Sequence, residues 1–268
     1  MLVLLPFLMI GLGVSAGICV AAGYGGLLLA VMFAALFAAA FAGALLLFVL
    51  SLALIAAFID KEKPQPVSSR FFCGLTTYVL GLITTLCRIR LHVSGTELLP
   101  EGRWLLVCNH RSSFDPIVTG WVLRERKLAF VSKPENLNIP VAGKIIRKAG
   151  YLPIDRENDR AALRTIQDAA ARMKRGELSY GIYPEGTRNA GDEMLPFRNG
   201  AFKIAQKAGT PIVIAAIRGT DQVKHNAPWR ATDVYLNICR VLDAETVAES
   251  KTAEIGEEVR QCIRSANT

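Results

Sequence analysis

The chain has 268 residues, with 31 Lys and Arg against 23 Asp and Glu, a formal net charge of +8. Residues 1–59 contain no Asp, Glu, Lys or Arg, so every charge lies beyond them and the mean hydropathy describes neither part. This partition reads as a membrane segment joined to a polar domain long enough for one sizeable core. The basic excess suits anionic surfaces and substrates, whereas nothing resembles a base-stacking or groove-reading element of a nucleic-acid binder.

The apolar start is far longer than the roughly 20 residues needed to cross a hydrocarbon core once. It also lacks the basic n-region and short apolar core of a secretory signal. Three glycines and a tyrosine in "AAGYGG" (21–26) mark a break, predicting two transmembrane helices, about 3–21 and 27–57. Gly11, Gly13, Ser15 and Gly17 are small enough to let the two pack closely. Lys61, Lys63 and Arg70 follow the second helix, and the positive-inside tendency puts them, with the polar domain, on the cytoplasmic face of the membrane. The expected division is an anchor over 1–59, a linker and helix over 60–90, and a catalytic domain over 91–268. The six cysteines are scattered without a C-x-x-C pair and read as reduced, mostly buried hydrophobes.

In "RFFCGLTTYVLGLITTLCRIR" (70–90), Phe71, Leu75, Tyr78, Val79, Leu82 and Leu86 recur at helical spacing, with arginines at both ends. That pattern fits a helix at the bilayer surface, or else a core helix. Beyond it, β-prone runs at 90–94, 104–108, 128–132, 179–183, 211–217 and 233–239 alternate with helical stretches at 116–126, 140–148, 159–175, 199–208 and 244–265. Asn158 is placed to cap the third of these helices and Gly176 follows its basic last turn. The alternation predicts an α/β fold with a largely parallel sheet flanked by helices, working residues gathering at the carboxyl ends of the strands.

"CNHRSSFDP" (108–116) closes the second β-prone run and sets His110 five residues before Asp115. Taken alone, Asp115-Pro116 reads as a helix start, with Asp as N-cap and His110 a loop residue. A strand-to-helix loop can equally fold the carboxylate onto the imidazole, fixing its tautomer and leaving the other nitrogen as a general base. Ser112 and Ser113 lack a G-x-S-x-G turn, and one His with one Asp is too few ligands for zinc, so neither a serine hydrolase nor a metal site is expected. "YPEGTRN" (183–189) closes another run. Pro184 and Gly186 permit a tight loop whose amides can face an anion, Arg188 offers a donor fork for a phosphate, Thr187 a hydroxyl and Glu185 an acceptor for substrate hydroxyls. A solvated polar turn is the plain alternative. Lys133 and Arg156 are further basic candidates, with surface ion pairs the default for each.

In order, "NHRSSFDP", "KPENLNIPVAGKIIRKAGYLPIDR" (133–156), "YPEGTRN", "LPFRNGAFKIA" (195–205) and "GTPIVIAAI" (209–217) resemble the membrane glycerolipid acyltransferases, especially the 1-acyl-sn-glycerol-3-phosphate acyltransferases. The resemblance covers about 90–220. It implies His110 as base, Asp115 as its orienting partner, and Glu185, Gly186, Thr187 and Arg188 around the glycerol phosphate. Lys133 and Arg156 become phosphate contacts, and Pro211 matches a further family position. Two departures are Tyr183, where Phe is usual, and Asn136, where Leu is usual. The implied reaction moves an acyl group from acyl-CoA or acyl-carrier protein to lysophosphatidic acid at the lipid bilayer, with no cofactor and no metal. Another lysolipid acceptor, such as a lyso-ornithine lipid, and a non-catalytic lipid-binding protein are the alternatives.

Overall fold

The computed structural model describes residues 2–267 other than Glu62, Pro64, Pro66, Arg156, Ala190 and Asp192, and the chain divides into two compact units, Met1–Lys63 and Pro64–Thr268. In the first, α1 (Leu5–Ala21) and α2 (Gly26–Ala57) are both long and apolar enough to cross a membrane once the short helical turn before α1 is included. This marks the chain as membrane-associated. On α1, Phe7, Gly11, Ser15 and Cys19 are buried, four residues apart and therefore on one stripe. Phe7 meets Phe41 and Phe48 edge-on, with centroids 6.4 and 5.7 Å apart. A Cβ on Gly11 would lie 2.9 Å from the Phe37 ring, so that contact depends on glycine, whereas Gly13 and Gly17 face open space. Two of the four small residues expected at the helix contact are thus in it.

The second unit opens with α3 (Arg70–Leu86), which ends four residues short of the predicted stretch because the chain turns through Arg88 at φ 53 into β1 (Ile89–Ser94). There follow β2 (Leu105–Cys108), α4 (Asp115–Val122), β3 (Leu128–Ser132), α5 (Pro134–Leu137), α6 (Ala142–Lys148), β4 (Leu152–Pro153), α7 (Asp159–Lys174) and β5 (Ser179–Ile182). The chain continues through α8 (Lys203–Ala208), β6 (Ile212–Arg218), α9 (Val223–Asn226), β7 (Thr232–Leu242), α10 (Ala244–Glu249) and α11 (Thr252–Asn267). Asn158 caps α7 as expected, accepting from the Ala161 amide at 3.1 Å. The helix predicted over 244–265 is broken at Ser250, and β4 pairs only two residues, too few to leave a periodic signal.

The seven strands form one sheet in the order β1-β7-β6-β2-β5-β3-β4. All neighbours are parallel except β6 and β7, so the expected largely parallel sheet is present with one antiparallel step. Every residue of β2 and β5 is buried, so helices cover both faces. Gly81 of α3 lies so close to the Trp121 ring of α4 that a Cβ there would approach it to 2.5 Å, which packs α3 into this unit.

The polarity of the strands sets the edge where chemistry can occur. β2, β5, β3 and β6 all end on the same edge, and β7 and β1, running the other way, begin there. The loops after β2, β5, β3 and β6, carrying His110, Glu185, Lys133 and Thr220, therefore gather along one rim.

Candidate active site

β2 is wholly apolar and, pinned between β5 and β6, delivers Asn109 and His110 to the rim. The Asn109 side chain locks the exit, donating from Nδ2 to the Ile217 carbonyl (2.9 Å) and accepting the Ile217 amide at Oδ1 (2.8 Å). His110 follows and its Nδ1 lies 2.7 Å from Asp115 Oδ2. Asp115 is fully buried, which would be costly for a carboxylate without partners. Its partners are numerous: Oδ2 also accepts the Arg111 amide (2.7 Å) and the Ser112 amide (2.8 Å), and Oδ1 accepts the Thr220 hydroxyl (2.5 Å). With its carboxylate oxygens already accepting from donors, Asp115 takes the proton-bearing Nδ1 of His110 as a further donor, the tautomer in which a neutral ring keeps its lone pair on Nε2.

Asp115 is the first residue of α4 and Phe114 the N-cap position, so the carboxylate faces back to its own loop. The plain expectation of Asp115 as a helix cap is corrected here: the orphan amides it satisfies are those of Arg111 and Ser112, before the helix. The His110 ring, 18% exposed, stacks on Tyr183 at 4.4 Å and 19°. Tyr183 stacks in turn on Phe130 of β3 (5.8 Å, 6°). Its hydroxyl lies 3.1 Å from Thr119 Oγ1, which donates to the Asp115 carbonyl at 2.7 Å. Burial, then the neighbouring Asp115 carboxylate, pushes the Tyr183 phenol well above its usual range and keeps it neutral. The hydroxyl that distinguishes Tyr183 from phenylalanine thus ties the ring beneath His110 to the first turn of α4.

Glu185 is 6% exposed and joins the two loops. Oε1 accepts the His110 amide (2.7 Å) and Oε2 the Leu195 amide (3.1 Å), while the Asn189 amide donates to the His110 carbonyl (2.7 Å). Burial raises the Glu185 carboxyl above its ordinary value, against the pull of those two amides and of His110. The residue expected to accept from substrate is therefore already engaged as a clamp between the β2 and β5 loops. Gly186 stands at φ 76, a conformation open to glycine, and is buried, whereas Thr187 and Arg188 project into solvent from the same loop. Lys133, exposed, follows β3 on the same rim. Arg156 lies outside the described residues. Pro211 stands before β6, its carbonyl accepting the Leu105 amide at 3.0 Å, and so sits at the opposite edge of the sheet from His110.

Sequence reasoning missed Asn109, Thr220, Arg111 and Arg218. Arg111 Nε pairs with Asp221 Oδ1 at 3.1 Å. Burial alone would raise the Asp221 carboxyl, but hydrogen bonds from Gln222 and Arg111 outweigh it and hold it below the usual range. A cleft of about 320 Å³ opens beside the pair, lined by Asn109, Arg111, Glu185, Asn189, Met194 and Arg218 among others. Asn109 had a usable signal, a polar residue at the end of an apolar strand. Thr220 had none, since its partner is 105 residues away.

Residues 90–218 match the family model described as Acyltransferase. A 1-acyl-sn-glycerol-3-phosphate acyltransferase of Haemophilus influenzae is 32% identical over 193 residues, covering 72% of this chain and 76% of that one. The human 1-acyl-sn-glycerol-3-phosphate acyltransferase beta is 37% identical over 126 residues, 47% of this chain and 45% of that one. The crystal structure of the 1-acyl-sn-glycerophosphate acyltransferase of Thermotoga maritima is similar in fold, with a TM-score of 0.57 and 23% identity over 82% of this chain and 87% of that one. The paired loops described above lie inside the matched stretch, and this chain belongs to the 1-acyl-sn-glycerol-3-phosphate acyltransferase family.

Proposed function

We propose that the protein transfers a fatty acyl group from an acyl thioester to the sn-2 hydroxyl of 1-acyl-sn-glycerol-3-phosphate, giving phosphatidic acid. The observation that carries this reading is the His110–Asp115 pair at 2.7 Å, its carboxylate buried and its imidazole open at the rim. Nε2 of His110 takes the hydroxyl proton as the oxygen attacks the thioester carbonyl. The tetrahedral species collapses with loss of thiolate, which leaves as the free thiol once protonated. Asp115 stabilises the imidazolium without itself accepting the proton. Arg188, Thr187 and the Gly186 backbone, with Lys133 and Arg156, hold the phosphate so that the hydroxyl meets Nε2, a positioning effect that contributes strongly to rate. Glu185 supports this arrangement by tying the Arg188 loop to the His110 amide. Coenzyme A or acyl-carrier protein supplies the thioester, and the reaction runs on the cytoplasmic face.

The purified chain in phospholipid vesicles, supplied with lysophosphatidic acid and acyl-CoA or acyl-carrier protein, tests the reading directly. Radiolabelled phosphatidic acid is the expected product. Preferential acylation of a competing lyso-ornithine lipid would replace the acceptor, and no acyl transfer with either donor would overturn the reading as a whole.

A further inference from the structure

The rim that carries His110 also carries a feature the chemistry does not use. β7 begins where β6 ends, Arg218 pairing with Tyr235, and β1 begins beside it, Ile89 pairing with Thr232. The connection from α9 into β7, residues 227–231, and the turn from α3 into β1 therefore both lie on the active-site rim. On the first of these, Trp229 is 83% exposed, more than any other large apolar side chain described in the second unit.

The backbone of this loop is held by hydrogen bonds at both ends. The Ala227 amide donates to the Val223 carbonyl (2.9 Å), the Arg230 amide to the Asn226 carbonyl (2.7 Å), and Asn226 Nδ2 to Thr232 Oγ1 (3.0 Å). From the neighbouring turn, Arg88 Nη1 donates to the Trp229 carbonyl at 2.8 Å. The surroundings are basic: Arg88, Lys224, Arg218 and Arg230 are exposed, as is His225. The nearby acids are already paired, Asp221 with Arg111 and Asp233 with His92 and Arg90. Leu86, 40% exposed at the end of α3, adds apolar surface next to Arg88.

An exposed indole on a rim that also carries the exposed cations Arg88, Arg218, Lys224 and Arg230 matches the boundary of an anionic bilayer, where tryptophan settles at headgroup depth and lysine and arginine meet lipid phosphates. We infer that the Trp229 loop and the adjoining Arg88 turn form an interfacial membrane contact of the second unit, seating the His110 rim on anionic lipid. The inference rests on the proposed acceptor, whose acyl tail keeps it in the membrane. An acidic carrier protein would satisfy the cations but offers the indole no apolar layer to enter.

The test uses the full chain in nanodiscs of phosphatidylglycerol and phosphatidylcholine. The three tryptophans all lie in the second unit, so the wild-type spectrum minus that of Trp229→Phe isolates one indole. The expected difference spectrum is blue-shifted, quenched by brominated lipid and shielded from acrylamide. A red-shifted, acrylamide-accessible difference spectrum in the same discs overturns the inference, whatever the activity. In parallel, Trp229→Ser should lose several-fold turnover on disc-embedded lysophosphatidic acid and keep its rate on a short-chain, monomeric acceptor. A loss confined to carrier-protein donor, with the indole still in water, would assign the rim to that protein instead and also overturns the inference. Absence of acyl transfer by the wild type would defeat the proposed reaction without touching the fluorescence result.

Discussion

The two halves of the candidate site are built in contrary ways. The half proposed for acid–base work is largely buried and tightly held: Asp115 receives four donors from two stretches of the chain, and His110 is pinned at its amide, carbonyl and ring. The half proposed to meet the headgroup, Thr187, Arg188 and Lys133, stands in solvent. A proton transfer needs atoms within hydrogen-bond reach and a fixed tautomer, which favours rigidity. A phosphate arriving from a membrane surface must exchange its water for guanidinium and amide donors, which favours reach. Rigidity is thus concentrated at the proton, and freedom at the anion.

Breaking the rigid half should cost the most. His110→Ala is expected to lower turnover by roughly 10²–10⁴-fold, the range for loss of a general base. Near-wild-type turnover in the folded variant would remove the imidazole from the chemistry. On the exposed half, Arg188→Lys should raise the KM for lysophosphatidic acid by about ten- to a hundredfold, the worth of one charge-assisted bond, with the donor KM unchanged. Equal loss for both substrates would mean that Arg188 serves the loop rather than the phosphate.

Two further substitutions ask how much rigidity the pair requires. Thr220→Val removes one donor from a buried carboxylate and should lower stability by about 1–3 kcal/mol in a denaturant titration. Its kcat should fall about tenfold with KM steady and the pH profile displaced, and Thr220→Ser should restore both. A stability loss with an unmoved pH profile would make Thr220 structural only. Tyr183→Phe keeps the ring beneath His110 and deletes the hydroxyl bonded to Thr119, so a cost of about 1 kcal/mol in stability and less than about twofold in turnover is expected.

The contrast also explains what was legible in the sequence. The anchor, six of the strands and the His110–Asp115 spacing are written in local pattern: charge absence, β-prone runs ended by polar loops, and two residues within one turn of chain. What was not legible concerns residues whose contacts come from distant partners. The contacts of Glu185, whose oxygens accept the amides of His110 and Leu195, leave no mark in its local sequence. Asn109 and Thr220 meet partners over 100 residues away, and no local periodicity records such a contact.

That last contact has a bearing on biosynthesis. Because the Asp115 carboxylate takes its fourth donor from a hydroxyl beyond β6, a nascent chain shorter than that point leaves the partner of His110 short of one hydrogen bond. By then the charge-free helices at the start have long left the ribosome and are free to enter a bilayer. The full set of donors around Asp115 is therefore gathered late, after the apolar helices have been made.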